Sequence, residues 1–173
     1  MNSRPIRYCP YCGTSTHNKH IAGKDRPTCE NCGWTYFPDP KVGVAVLVIQ
    51  DGEILLVKRR YQPHAGKWAL PAGFLDFFED PQDAARRECK EETGLDVIIT
   101  GLLSVLPGRE HPRGADIMIA YCAEVVGGVI QPGDDAEDSR FFPLNALPPI
   151  AFNTTRLAIQ KWKDRSPCKK TQT

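Results

Sequence analysis

The sequence predicts an α/β body preceded by a small appendage held by cysteines, and three observations carry that expectation. Two Cys-x-x-Cys pairs lie near the start, two β-rich runs flank Asp51-Gly52, and a helix with signals at both ends covers 81–93. The 173 residues are 41% hydrophobic and 25% charged, an ordinary globular composition that excludes collagen-like and disordered classes. The expected organisation is an appendage over 1–38, a main domain over 39–165 and a polar, disordered tail over 166–173.

The formal net charge of +1, from 22 Lys and Arg against 21 Asp and Glu, hides a gradient. Residues 1–40 sum to +2, residues 41–150 to −6 and residues 151–173 to +5. No apolar run approaches the ~18 to 20 residues of a membrane span; the longest, Val42 to Ile49, stops at Gln50-Asp51-Gly52. Met1 to Pro10 carries arginines but leads into no apolar signal region, so a reducing cytoplasm is the expected compartment and disulfides are not expected.

The appendage follows from Cys9-Pro-Tyr-Cys12 and Cys29-Glu-Asn-Cys32, each followed by a glycine and separated by 16 residues. Four thiolates delivered two per tight knuckle suit tetrahedral Zn²⁺ and predict a zinc ribbon. Forty residues bury too little surface to fold alone, whereas structural zinc contributes on the order of 10 kcal/mol in comparable peptides. With all four positions cysteine, no ligand position is left for a reacting water, so the metal is structural. His17 and His20 read as ordinary loop histidines. A net +2 without a dense basic stripe argues against nucleic acid as a partner.

In the main domain, Lys41–Ile49 and Glu53–Lys58 around Asp51-Gly52 read as a β-hairpin. Trp68 to Gly73 reads as a short extended stretch, Ile117–Val126 as a strand and Phe141–Leu144 as a shorter one. Asn153 is expected to cap a last helix running to about Asp164, with Leu157, Ala158 and Trp162 facing the body. Cys122 reads as a core residue and Cys168 as an exposed tail thiol.

Helix 81–93 is the most informative segment. Asp80 suits the N-cap, Pro81 the first helical position, Asp83 the positive end of the dipole, and Gly94 a left-handed terminus. At roughly 100° per residue, Glu88, Glu91 and Glu92 share one sector about 100° wide with Ala84, bordered by Ala85 and Cys89. A solvated charged face is already supplied by Asp83, Arg86 and Lys90. Three carboxylates among small inward residues are costly unless a cation compensates them, and carboxylate oxygens suit Mg²⁺ or Mn²⁺.

Gly73, five residues, Glu79, seven residues, Arg87-Glu88, Cys89-Lys90, Glu91-Glu92, Thr93, Gly94, Leu95 resembles the Nudix box at every fixed position over 23 residues. Cys89 stands where that family usually has an aliphatic residue, and packs as one. The resemblance implies the Nudix fold, a mixed β-sheet between helices, and a hydrolase that cleaves the pyrophosphate of a nucleoside diphosphate derivative with water. By the same resemblance Glu88, Glu91 and Glu92 are ligands of the divalent metal, with the Ala72 carbonyl a further one, and Arg87 and Glu79 orient the carboxylates. The proton acceptor is Glu88 or Glu92, or an acid from a later loop: Glu110 in 108–114, or Glu137 or Asp138 in 132–138.

A zinc ribbon ahead of such a domain resembles two groups, the NADH pyrophosphatases with the NAD-cap hydrolases, and the ADP-ribose and FAD pyrophosphatases. The first carries a Ser-Gln-Pro-Trp-type motif after the box; here 102–111 reads Leu-Leu-Ser-Val-Leu-Pro-Gly-Arg-Glu-His, which favours the second. Gln62 to Gly73 and Pro149 to Phe152 resemble that second group as well. Arg59, Tyr61, Trp68, Arg109, His111 and Phe152 are candidates for stacking the base and contacting phosphate, with a core role as the alternative for Trp68 and Phe152. The rival to an enzyme is a non-catalytic nucleotide sensor, which the intact box acids disfavour. Similar enzymes are often homodimers.

Overall fold

The computed structural model describes residues 6–165; the expected tail, with Cys168, lies outside them. It falls into two compact units that meet in sequence at Asp39 and Pro40. In the first, strands β1 (Thr16–Ile21) and β2 (Lys24–Cys29) pair antiparallel. The sequence does not announce this hairpin, because six-residue strands of mixed polar residues carry no hydrophobic alternation.

The second unit holds β3 (Val42–Gln50), β4 (Glu53–Arg59), β5 (Trp68–Ala69), β6 (Ala72–Phe74), helix α1 (Pro81–Thr93), β7 (Leu95–Pro107), β8 (Ile117–Gly128), β9 (Ala136–Pro143) and helix α2 (Asn153–Asp164). The seven strands run β5-β4-β3-β8-β7, with β6 on β3 and β9 on β4. β3 pairs parallel with β8 and antiparallel with β4 and β6, so the sheet is mixed. β3 is almost wholly apolar and buried because both of its faces are covered. On one side Val44, Val46 and Val48 meet Ala84, Ala85 and Cys89 of α1. On the other, Ala45 and Leu47 share a core with Trp68, Leu70, Ala158 and Ile159. The sheet thus lies between two helices, as the resemblance implies.

One strand goes beyond the sequence expectations and two expectations need correction. The thirteen-residue β7 is not predicted by the sequence, because register shifts at Asp96/Val97, Ile99/Gly101 and Leu102/Ser104 break its two-residue period. β9 starts at Ala136 rather than at 141, so Glu137 and Asp138 sit in a strand paired with β4 and not in a loop. Finally, Asn153 is the first residue of α2 and not its cap; Phe152 holds the cap position and offers no side-chain bond.

Candidate active site

Helix α1 is fixed at both ends as its sequence requires. The Asp80 side chain accepts from the Gln82 N–H at 2.8 Å, and Gly94 closes the helix at φ 76° with its N–H on the Lys90 carbonyl. Packing of Ala84, Ala85 and Cys89 on the sheet brings Glu88 and Glu92 inside with them, at 8% and 5% exposure, and leaves Glu91 at the rim. The facing strand β6 makes room: a Cβ built on Gly73 would lie 2.0 Å from the Glu88 carboxyl carbon and 2.1 Å from both its oxygens. Glycine is therefore required there for the close approach of a carboxylate, and not for an unusual backbone angle.

Arg87 braces the cluster. Its Nε and Nη2 donate to the two Glu79 oxygens at 2.8 and 2.9 Å, and its Nη1 donates to Glu88 at 2.8 Å and Glu91 at 3.1 Å. A two-pronged guanidinium–carboxylate pair fixes orientation as well as charge. The Arg87 hydrogen bonds hold the Glu79 carboxyl down at about 2, and the Asp76 N–H adds to this. Burial pushes Glu88 up, with Arg87 opposing. Burial pushes Glu92 well above the ordinary range as well; the Ala72 N–H, 2.9 Å away, opposes the rise, while Asp135 and Glu88 add to it.

The donor set fits a divalent cation. Buried carboxylates that raise one another's proton affinity are short of positive charge, and oxygen ligands match the hard ions Mg²⁺ and Mn²⁺. Gly73 keeps the space beside Glu88 free of side chain.

Glu88 and Glu92 open on a cavity of about 600 Å³. Asp134 and Asp135 line it beside them, and sequence reasoning missed both although they follow a Pro-Gly turn signal. Their loop is held to α1: the Gln131 N–H reaches the Thr93 carbonyl at 2.8 Å, and a Cβ on Gly133 would stand 2.4 Å from the Glu91 carbonyl. From the other side, the Arg60 side chain donates to the Asp134 and Ala136 carbonyls. Facing walls carry Ala72, Arg59, His111, Arg113 and Phe152. The Arg59 guanidinium lies 4.9 Å over the Phe152 ring, and His64 meets that ring edge-on.

Other predicted residues lie elsewhere. Trp68 is in the core, its ring edge-on to Phe142 at 4.6 Å. Tyr61 is exposed away from the cavity lining, and Arg109 pairs with Asp116 at 3.3 Å. Glu137 pairs with Lys58 at 3.2 Å and Asp138 with Arg140, which places both on the β9–β4 surface. Glu110 borders the cavity, but both its oxygens accept backbone N–H groups of α2.

In the N-terminal unit, the sulfur atoms of Cys9, Cys12, Cys29 and Cys32 lie within 4.8 Å of one another. Three of their separations are 3.5, 3.5 and 3.7 Å. A tetrahedron with metal–sulfur bonds of about 2.3 Å has edges of roughly 3.8 Å, so the cluster is the size a zinc ion requires. Cys9 and Cys29 are buried while Cys12 and Cys32 are exposed. No His joins the group; His20 pairs with Asp25.

A mixed sheet between two helices, with helix-borne acids braced by an arginine beside a glycine-bearing strand, is an arrangement that fits a hydrolase acting on diphosphate bonds. Residues 39–163 match the NUDIX domain family, and the chain belongs to it. An ADP-ribose pyrophosphatase of Methanocaldococcus jannaschii is 41% identical over 129 residues, 72% of this chain and 76% of that protein. A NAD-capped RNA hydrolase of Pseudomonas aeruginosa is 31% identical over 153 residues, 86% of this chain and 51% of that protein, so the chain spans about half its length. Among solved structures, a NUDIX hydrolase from Nitrosomonas europaea superposes with a TM-score of 0.78 at 27% identity, covering 92% of both chains. An ADP-ribose pyrophosphatase from Streptococcus suis does so at 0.61 and 31% identity, covering 75% of this chain and 95% of that one.

Proposed function

We propose that this Nudix hydrolase cleaves ADP-ribose, FAD or a closely related nucleoside diphosphate derivative between its two phosphorus atoms, releasing AMP and a second phosphate monoester. The observation that carries this reading is the cavity itself. Its floor holds Glu88, Glu92, Asp134 and Asp135, and its walls hold the Arg59–Phe152 stack with His111 and Arg113. A floor of acids repels a diphosphate, and an aromatic–guanidinium wall suits a base or sugar beside phosphate.

Glu88, Glu91 and Glu92, with the Ala72 carbonyl, would hold Mg²⁺ or Mn²⁺. When bound, such an ion neutralises phosphate charge, polarises phosphorus and acidifies water. Arg87, locked by Glu79, keeps Glu88 and Glu91 in register as the substrate arrives. Glu92 or Glu88, both lining the cavity, would accept the proton of the attacking water. Arg59 and Phe152 would hold the nucleoside end. In the N-terminal unit the four cysteines would hold Zn²⁺, and a site of four thiols clustered for a metal suits a reducing compartment such as the cytoplasm.

The test is turnover of ADP-ribose, FAD, NADH and diadenosine polyphosphates by the purified protein with Mg²⁺ or Mn²⁺, with products separated by chromatography. ADP-ribose or FAD should rank first, and Glu92→Gln should remove most activity while the domain stays folded. Failure to turn over any of these substrates, or unchanged turnover by Glu92→Gln, would overturn the reading.

A further inference from the structure

Helix α2 is capped from 43 residues away. Phe152, at its cap position, has no side-chain bond to offer, and no acid stands in its first turn. Glu110 supplies both needs: Oε2 accepts the Asn153 N–H at 2.5 Å and Oε1 accepts the Thr154 N–H at 2.6 Å. Free N–H groups at a helix start and the positive end of its dipole favour a carboxylate there.

The segment bearing Glu110 is tied into one piece. Its base is closed by Gly108 N–H on the Asp116 carbonyl at 2.9 Å and Arg109 N–H on the Ala115 carbonyl at 2.7 Å. A Cβ on Gly108 would stand 2.0 Å from the Ala115 oxygen, so the two limbs touch. At its tip the Gly114 N–H donates to the His111 carbonyl, and the Arg113 N–H donates to His111 Nδ1 at 3.2 Å. Among the described residues, the two Glu110 bonds are the hydrogen bonds joining this segment to α2. Both line the cavity, the segment with His111 and Arg113, and α2 and its cap position with Phe152 and Thr155.

We propose that Glu110 is a positioning residue, a clasp between segment 108–116 and α2 that sets how far His111 and Arg113 stand from Phe152 across the substrate cavity. It governs grip on the substrate and takes no part at the bond that breaks. This rests on the hydrolase reading above.

The experiment compares Glu110→Ala and Glu110→Gln with the parent chain. In Glu110→Ala, KM for ADP-ribose should rise about tenfold with kcat within about twofold, the pattern of binding lost equally from ground and transition states. Glu110→Gln, which keeps one acceptor oxygen, should fall between. Calorimetric affinity for AMP in EDTA should weaken in parallel, and hydrogen exchange should speed up together at 108–116 and at 153–154. A collapse of kcat with KM unchanged would make Glu110 the proton acceptor and overturn the clasp. A lower melting temperature with KM and AMP affinity unchanged would make it a helix cap only, and would overturn the clasp equally. If the parent chain turns over nothing, the hydrolase reading fails while AMP affinity and exchange still decide whether Glu110 couples the two walls.

Discussion

Gly73→Ala isolates the demand for an empty space beside Glu88. The added methyl would sit 2.0 Å from the Glu88 carboxyl carbon, against the 3.4 Å at which ordinary contact begins. The carboxylate must therefore retreat by roughly 1.4 Å, which strains its 2.8 Å bond to Arg87. A displacement of about 1 Å in a reacting constellation costs on the order of 100-fold in rate, or about 2.7 kcal/mol. The backbone at Gly73 is not left-handed, so alanine brings no backbone strain of its own, and the overpacking should cost about 1 to 3 kcal/mol of stability. Steady-state hydrolysis of ADP-ribose at saturating Mg²⁺, with a thermal melt of the same sample, reads both quantities. Turnover within threefold of the parent would show that the position of Glu88 does not limit the reaction, and the role given to the glycine would fall.

Further outcomes follow from the same geometry. Glu79 has its native pKa depressed to about 2, so its contribution to stability is complete above the ordinary carboxylate value and fades as pH falls from there toward 2. Glu79→Gln should cost about 1 kcal/mol near pH 7, since the pair is part-exposed, and the gap from the parent in urea midpoints should narrow as pH falls below the ordinary carboxylate value and close only near pH 2; a gap that does not vary with pH contradicts the Arg87 brace. Cys29→Ser removes one buried thiolate of the four; zinc content by mass spectrometry should fall from one equivalent per chain toward zero, and an unchanged content would rule out the four-thiolate site. Phe152→Ala should raise KM for ADP-ribose about tenfold through loss of the Arg59-backed face, whereas a rise confined to 1/kcat would refute a stacking role.

Much of this architecture was legible because it is encoded locally. Asp80, Pro81 and Gly94 bound α1 within a single segment, and the Gly73-to-Gly94 spacing places glycine, glutamates and arginine on adjoining elements. The cysteine pairs likewise announce their cluster. What escaped depends on distant partners. The capping of α2 is invisible from 152–155, since its acid lies in another loop. Asp134 and Asp135 differ from Glu137 and Asp138 only in lying before the start of β9, a boundary set by pairing with β4. Trp68 looks like any exposed aromatic until Phe142 and Ile150 close over it. β7 was hidden by its own irregularities.

Those irregularities bear on solubility. β7 is a thirteen-residue edge strand with Ile98, Leu102 and Val105 exposed, the kind of border to which other strands adhere. Three register shifts twist it out of flatness, and Arg165 occupies the carbonyls of Leu102 and Leu103 at its middle. Arg165, just beyond α2, thus fills carbonyl acceptors on the molecule's longest strand that a strand from another chain would otherwise need.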